Sequence, residues 1–190
     1  MSVHWLVRLG VAAALVCSGA AVVAPAASEA AAPAVTAASA TRAVAPSRGA
    51  PRRASRTFLT IPRLHARLRV RRGVSQRVLA KGPGYFPGTA RPGEIGNMVI
   101  LGHRTTHSAP FRRLHRLRRG DRLIVSARAR RYVYRVDGKR IISARRRSVL
   151  APVPFRPHAE PHARRLTLIT CHPPGSDRQR LVVLARMGAR

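Results

Sequence analysis

A chain of 190 residues has room for one ordinary domain and an attached segment, which excludes a multi-domain enzyme and a multi-span transporter. Its 2 cysteines cannot staple a mini-protein, and its 6 acids (Glu29, Glu94, Asp121, Asp137, Glu160, Asp177) are too scattered for a calcium site built from clustered hard oxygens. Against them stand 37 basic residues, all arginine except Lys81 and Lys139, giving a formal net charge of +31. Such a charge favours polyanions through counterion release. The arginines run through the whole chain rather than along one stripe, and they accompany an alanine excess of the kind a GC-rich coding bias produces. Nucleic acid is therefore not the expected partner, while acidic lipids and wall polymers are other anions that such a surface attracts.

From Leu9 to Ala27 the sequence carries no charge; Arg8 precedes this run and small residues follow it. A positive start, an apolar middle and a small-residue exit make an export signal. The run is also close to the roughly 20 apolar residues that span a bilayer as a helix. Residues 1–27 are thus read either as a cleaved signal peptide, with Ala24-Pro25-Ala26 as a cleavage site, or as a retained single-pass anchor. In both forms the rest of the chain is exported, and the anchored form binds the membrane through this N-terminal apolar helix. Cys17 follows Val16 rather than a small residue and reads as an apolar helix position. Residues 28–56 are rich in Ala, Pro, Ser and Thr and then in Arg, with neither helical nor strand periodicity, which predicts a disordered, extended linker.

Residues 57–190 make a single domain of common size. Short β-branched or alternating runs recur between Gly/Pro clusters: Thr57–Ile61, Leu64–Val70, Met98–Leu101, Arg122–Ala127, Tyr132–Ile142, Leu166–Thr170 and Leu181–Ala185. Asp137-Gly138, between Tyr132-Val133-Tyr134 and Ile141-Ile142, fits a type I′ hairpin turn or a bulge. Two stretches read as helical. Ser75–Ala80 predicts a short turn, and Ala109–Leu117 follows Ser108 as N-cap, with Phe111, Leu114 and Leu117 at spacings of three. Many short strands with few helices predict an all-β domain, a closed or nearly closed barrel with a sandwich as the alternative.

The chemistry gathers around Cys171. Outside the N-terminal run it is the only cysteine, so an exported chain would carry a free thiol. An inert buried cysteine is the bland explanation. Leu166-Thr167-Leu168-Ile169-Thr170 leads to the sulfur and His172-Pro173-Pro174-Gly175 then turns the chain out of the sheet, placing it at a strand rim. Arg180 opens the next apolar strand, so pairing of the two strands brings a guanidinium back to the thiol, where it favours thiolate and can donate to an oxyanion. His103 ends the run Val99-Ile100-Leu101-Gly102 at another strand end and supplies the acid/base partner that cysteine acyl transfer needs.

Thr167-Leu168-Ile169-Thr170-Cys171 matches the TLxTC signature of sortases, the exported cysteine transpeptidases of bacteria. Ile100-Leu101-Gly102-His103 matches their histidine strand end, and Arg180 before an apolar strand matches their arginine. Gly82–Ala90, Pro92-Gly93, Gly96-Asn97, Gly102–Thr106 and Ala109-Pro110-Phe111 resemble the class D and E subgroups, with class E preferred. The resemblance covers about residues 57–187, with His, Cys and Arg in the family's order. It implies a closed eight-stranded β-barrel over 57–190 with one or two short helices. It also implies cleavage of a C-terminal LPxTG- or LAxTG-like sorting motif between Thr and Gly, through a thioester that a cell-wall precursor amine resolves. The implied partners are surface proteins bearing that motif, and the implied location is the extracytoplasmic face of the bacterial membrane or the wall. By the same resemblance Cys171 is the nucleophile, His103 the general acid/base, Arg180 the oxyanion or substrate ligand, and Thr170 a residue that hydrogen-bonds to substrate. The loop 145–164 corresponds to the segment that shapes substrate choice. No cofactor and no metal are expected.

Rival readings are weaker. Arg178 shares strand parity with Arg180, and His107 and His172 are alternative imidazoles at the rim. His158-Ala159-Glu160 upstream of Cys171 lacks the second cysteine of a zinc deaminase, and Pro157 and Pro161 forbid the helix that a His158/His162 zinc pair needs. The different-class alternative is an exported basic module that holds anionic wall polymer or nucleic acid, with Cys171 incidental.

Overall fold

A computed structural model describes residues 56–188; the 1–27 segment and all but the last residue of the 28–56 linker lie outside them. The described chain runs β1 (Thr57–Ile61), β2 (Ala66–Arg72), α1 (Gln76–Leu79), β3 (Gly84–Tyr85), β4 (Gly96–Leu101), β5 (Arg122–Ala127), β6 (Arg130–Ser143), β7 (Arg164–His172) and β8 (Gln179–Met187). The eight strands close into a barrel in the order β1-β2-β3-β4-β7-β8-β6-β5. Closure leaves no unpaired edge, which answers the choice between barrel and sandwich.

Side chains alternate across each strand, and the two faces meet different surroundings. Met98 and Ile100 of β4, Leu166 and Leu168 of β7, and Leu181 and Val183 of β8 point into the barrel with Leu59, Phe111 and Tyr134. The opposite parity, Val99, Ile169 and Val182, is covered from outside by Val149, Leu150 and Phe155 of the connection between β6 and β7. Strands buried on both faces read as continuous apolar runs rather than alternating ones, which is why these three stood out in the sequence. Asn97, fully buried, holds the covering connection in place. Its Nδ2 donates to the carbonyls of Val149 at 3.0 Å and Ala151 at 3.1 Å, and its Oδ1 accepts from Thr167 Oγ1 at 2.7 Å.

Two local expectations are settled by the pairing and the backbone. β6 runs through Asp137-Gly138 without turning, and its pairing with β8 slips between Val136 and Gly138, so this dipeptide is the bulge and not the hairpin turn. The tight hairpin lies between β5 and β6, where Ala127 pairs with Arg130 and Arg128 and Ala129 have φ of 49° and 61°. Positive φ at both central residues is the type I′ requirement, met here without Asn or Gly. The Ala109–Leu117 segment is not an α-helix. Ala109 has φ 41°, and only Leu114–Arg116 forms a 3₁₀ turn. Its apolar spacing of three is the 3₁₀ period, and it sends Phe111, Leu114 and Leu117 all into the core.

Candidate active site

β7 and β8 pair antiparallel with Cys171 directly opposite Arg180. β4 lies parallel on the other side of β7, and its last pair is Leu101 with Ile169. The Gly102 N–H donates to the Ile169 carbonyl at 3.1 Å, which keeps the chain alongside β7 and brings His103 level with Cys171. Parity then sets the faces. His103 continues the row of Val99, Cys171 that of Ile169, and Arg180 that of Val182, so all three belong to the outer face above the second apolar cluster. The structure thus brings these three sequence candidates to one rim of three neighbouring strands. Packed aliphatics form the floor beneath them.

The histidine backbone is buttressed from inside. Phe111 N–H donates to the His103 carbonyl at 3.0 Å. Its ring fills the space under Gly102, where an added Cβ would come 2.7 Å from Phe111 Cδ2. Glycine is required here for close approach. The His103 ring is 8% exposed, and its Nε2 is buried without a hydrogen-bond partner. Burial holds its pKa below the usual 6.5, and the neighbouring His107 ring adds to the lowering, at 4.9 Å between centroids. The imidazole is therefore neutral at neutral pH. A buried ring nitrogen with no partner suits a group that exchanges protons with a bound molecule.

Cys171 is half-buried and carries a free thiol. Arg180, 9% exposed, donates through Nη1 to the carbonyls of Asp177 at 2.6 Å and Gln179 at 2.9 Å. Those bonds fold the guanidinium back on the β7–β8 turn and leave Nε and Nη2 for a ligand. Arg178, its rival, is an exposed loop residue. A cavity of about 270 Å³ lined by Arg140, Phe155, Arg156, Arg165, Thr167 and Leu184 includes none of the site residues.

Thr170, expected to hydrogen-bond to substrate, has a partner within the barrel. Its parity is that of Leu168, it is 2% exposed, and its hydroxyl donates to the Gly102 carbonyl at 2.8 Å. The hydroxyl proton joins the cysteine strand to the histidine strand. Arg104 was not singled out by the sequence, being one arginine among many. It is buried, and its Nη1 donates to the Cys171 carbonyl at 3.2 Å and contacts His172 Nδ1 at 2.8 Å. Arginine only donates, so Nδ1 accepts and the His172 ring proton is assigned to Nε2. His172 thereby faces away from the outer row.

The Sortase domain family model matches residues 59–188. Sortase SrtE1 of Streptomyces coelicolor is 33% identical over 138 residues, covering 68% of this chain and 39% of that protein. Sortase D of Bacillus subtilis is 29% identical over 116 residues, 61% of this chain and 54% of the relative, so the match spans about half or less of either curated protein. The crystal structure of Sortase E1 from Streptomyces coelicolor with a tripeptide in its active site superposes with a TM-score of 0.65 at 30% identity, covering 71% of this chain and 88% of that one. With the barrel order and the Cys171–Arg180 pair in hand, these similarities make the chain a member of the sortase family, on its class E and D side.

Proposed function

We propose that the chain is a cysteine transpeptidase that cuts a C-terminal LPxTG- or LAxTG-like sorting motif between Thr and Gly and passes the acyl group to a cell-wall precursor amine. The observation that carries the reading is the direct cross-strand pairing of Cys171 with Arg180, with His103 level on the adjoining strand. Cys171 Sγ adds to the threonine carbonyl carbon, and the charge that develops on oxygen meets the Nε and Nη2 donors of Arg180. His103 takes up the thiol proton and delivers it to the glycine nitrogen, so the C–N bond breaks with an amine and not an amide anion leaving. The thioester is then attacked by the incoming amine. His103 removes the amine's proton and returns it to sulfur as the new amide forms.

A neutral imidazole at rest fits both halves of this cycle. The apolar floor of Val99, Ile169 and Val182 keeps water from the thioester from below. The covering connection around Val149–Phe155, on the outer face of β7 and β8, is the segment we assign to substrate choice. Extracytoplasmic placement, through a cleaved or retained N-terminal segment, belongs to the same proposal. Among the described residues no helix is long and apolar enough to cross a membrane.

The test is mass spectrometry of the intact protein after incubation with an LPxTG or LAxTG peptide. An adduct of the acyl mass on Cys171, lost in Cys171→Ala, is expected. An unlabelled Cys171 across both peptides, with polyanion affinity that Cys171→Ala leaves unchanged, would replace this proposal with the basic binding module.

A further inference from the structure

Arg104 is 5% exposed and lies behind the row that presents Cys171 and His103. Its Nε is buried without a hydrogen-bond partner, and among the described residues no carboxylate is within ion-pair distance of it. A buried charge without a counter-charge is costly, and an aliphatic side chain would fill the space without that cost. What the guanidinium does hold is specific: the Cys171 carbonyl at 3.2 Å and His172 Nδ1 at 2.8 Å.

The place of these contacts in the ladder gives them a purpose. Beyond the Gly102–Ile169 bond no backbone hydrogen bond joins the end of β4 to the end of β7. Two side-chain bonds take over. Thr170 Oγ1 reaches the Gly102 carbonyl, linking the residue before the thiol to the residue before the imidazole. Arg104, the residue after the imidazole, reaches the carbonyl of Cys171 itself. Together they bracket the Cys171–His103 pair on both sides.

We infer that Arg104 is a positioning residue: it clamps the backbone of Cys171 to the chain segment that carries His103, and so sets the separation of sulfur and imidazole. The inference rests on the reading of these two as the acyl-transfer pair. Its second effect is electrostatic. The charged and titratable groups that the strands bring beside the thiol are Arg180 opposite it on β8, His103 level with it beyond the end of β4, with His107 against the His103 ring, and Arg104 with His172 behind it. Arg104 adds a permanent positive charge that a substitution can remove.

The test compares the full-length protein with Arg104→Gln and Arg104→Lys in three measurements: melting temperature, single-turnover acylation of Cys171 by a sorting peptide, and iodoacetamide alkylation of Cys171 against pH. For Arg104→Gln the acylation rate is expected to fall about 100-fold, with KM within about twofold of wild type. The alkylation midpoint is expected to move to higher pH. Arg104→Lys keeps the charge, but its shorter side chain ends short of the position from which Nη1 reaches both the Cys171 carbonyl and His172 Nδ1, so it is expected to restore the midpoint and not the acylation rate. A folded Arg104→Gln protein with wild-type acylation and an unmoved alkylation profile overturns the inference. If Arg104→Gln does not fold, Arg104→Lys decides, and a folded Lys variant acylating at the wild-type rate overturns it equally. Should the wild type form no acyl adduct at all, the proposed function fails while the alkylation profiles still judge Arg104.

Discussion

Thr170 gives its hydroxyl to the carbonyl of Gly102 at 2.8 Å, so the residue preceding the thiol is bonded to the residue preceding the imidazole. Thr170→Val keeps the volume and removes the bond. Its expected cost is about 1 kcal/mol of stability, the size of one neutral hydrogen bond. The acylation rate should drop while KM for the sorting peptide stays near wild type. A KM rise with an unchanged rate would return Thr170 to the substrate-contacting part that the family resemblance implied.

His103 titrates below 6.5 because burial and then His107 disfavour its charged form. His107→Ala removes the smaller of the two causes. In that variant NMR titration of the His103 ring should give a higher midpoint than in wild type, still below 6.5. Because the folded value lies below the unfolded one, the unfolded chain binds the proton first as pH falls. His103 therefore lowers stability progressively from pH 6.5 down to its folded midpoint. Thermal melts between pH 7 and 5 should show a smaller loss for His103→Gln than for wild type.

Gly102 has no room for a methyl group, since the Phe111 ring stands 2.7 Å from where its Cβ would be. Gly102→Ala forces the ring or the strand end to move, at about 1–3 kcal/mol for overpacking. The same shift displaces the attached His103. Chemical denaturation should report the stability loss, and acylation assayed on the folded fraction should report a further rate loss.

Arg180 is folded onto its own turn by two carbonyls, from Asp177 and Gln179. A lysine keeps the charge without the fork that serves the turn and a ligand together. Arg180→Lys should lower the turnover rate by about 100-fold, the scale seen for the loss of one oxyanion donor. Equal rates for the two proteins in a peptide-transfer assay would remove Arg180 from the proposed mechanism.

Arg128 and Ala129 occupy left-handed backbone at the β5–β6 hairpin. An L side chain pays about 1–2 kcal/mol per residue there, and Asn-Gly meets the same geometry with little strain. The Arg128→Asn/Ala129→Gly double substitution should raise the melting temperature with unchanged acylation, because the turn lies at the β5–β6 hairpin and the site on β4, β7 and β8. A lower melting temperature would contradict the turn assignment.

The site was legible in the sequence where its physics is local. Cys171 is the one cysteine outside the N-terminal run and ends an apolar stretch that Pro173-Pro174-Gly175 breaks, and Arg180 opens the next run. Strands β4, β7 and β8 are buried on both faces, so their stretches are dense in apolar and β-branched residues and easily seen. β3 was not legible, because two residues, Gly84-Tyr85, carry no periodicity. The Asp137-Gly138 pair suits a turn as well as a bulge, and only the pairing of β6 with β8 across it decides. Arg104 was hidden by composition. In a chain with 37 basic residues a functional arginine differs from its neighbours only by being buried, which no sequence pattern reveals. The direction of Thr170 follows from its strand parity with Leu168, a member of the inner row.

Among the described residues β8 is the last strand in chain order, yet in the barrel it sits between β7 and β6. Any folding that proceeds from the N-terminus therefore leaves the cylinder open, and Cys171 without its arginine, until Gln179–Met187 has docked. An emerging chain is thus chemically unarmed until β8 has been made, and the thiol gains its full complement of partners in the same event that seals the wall.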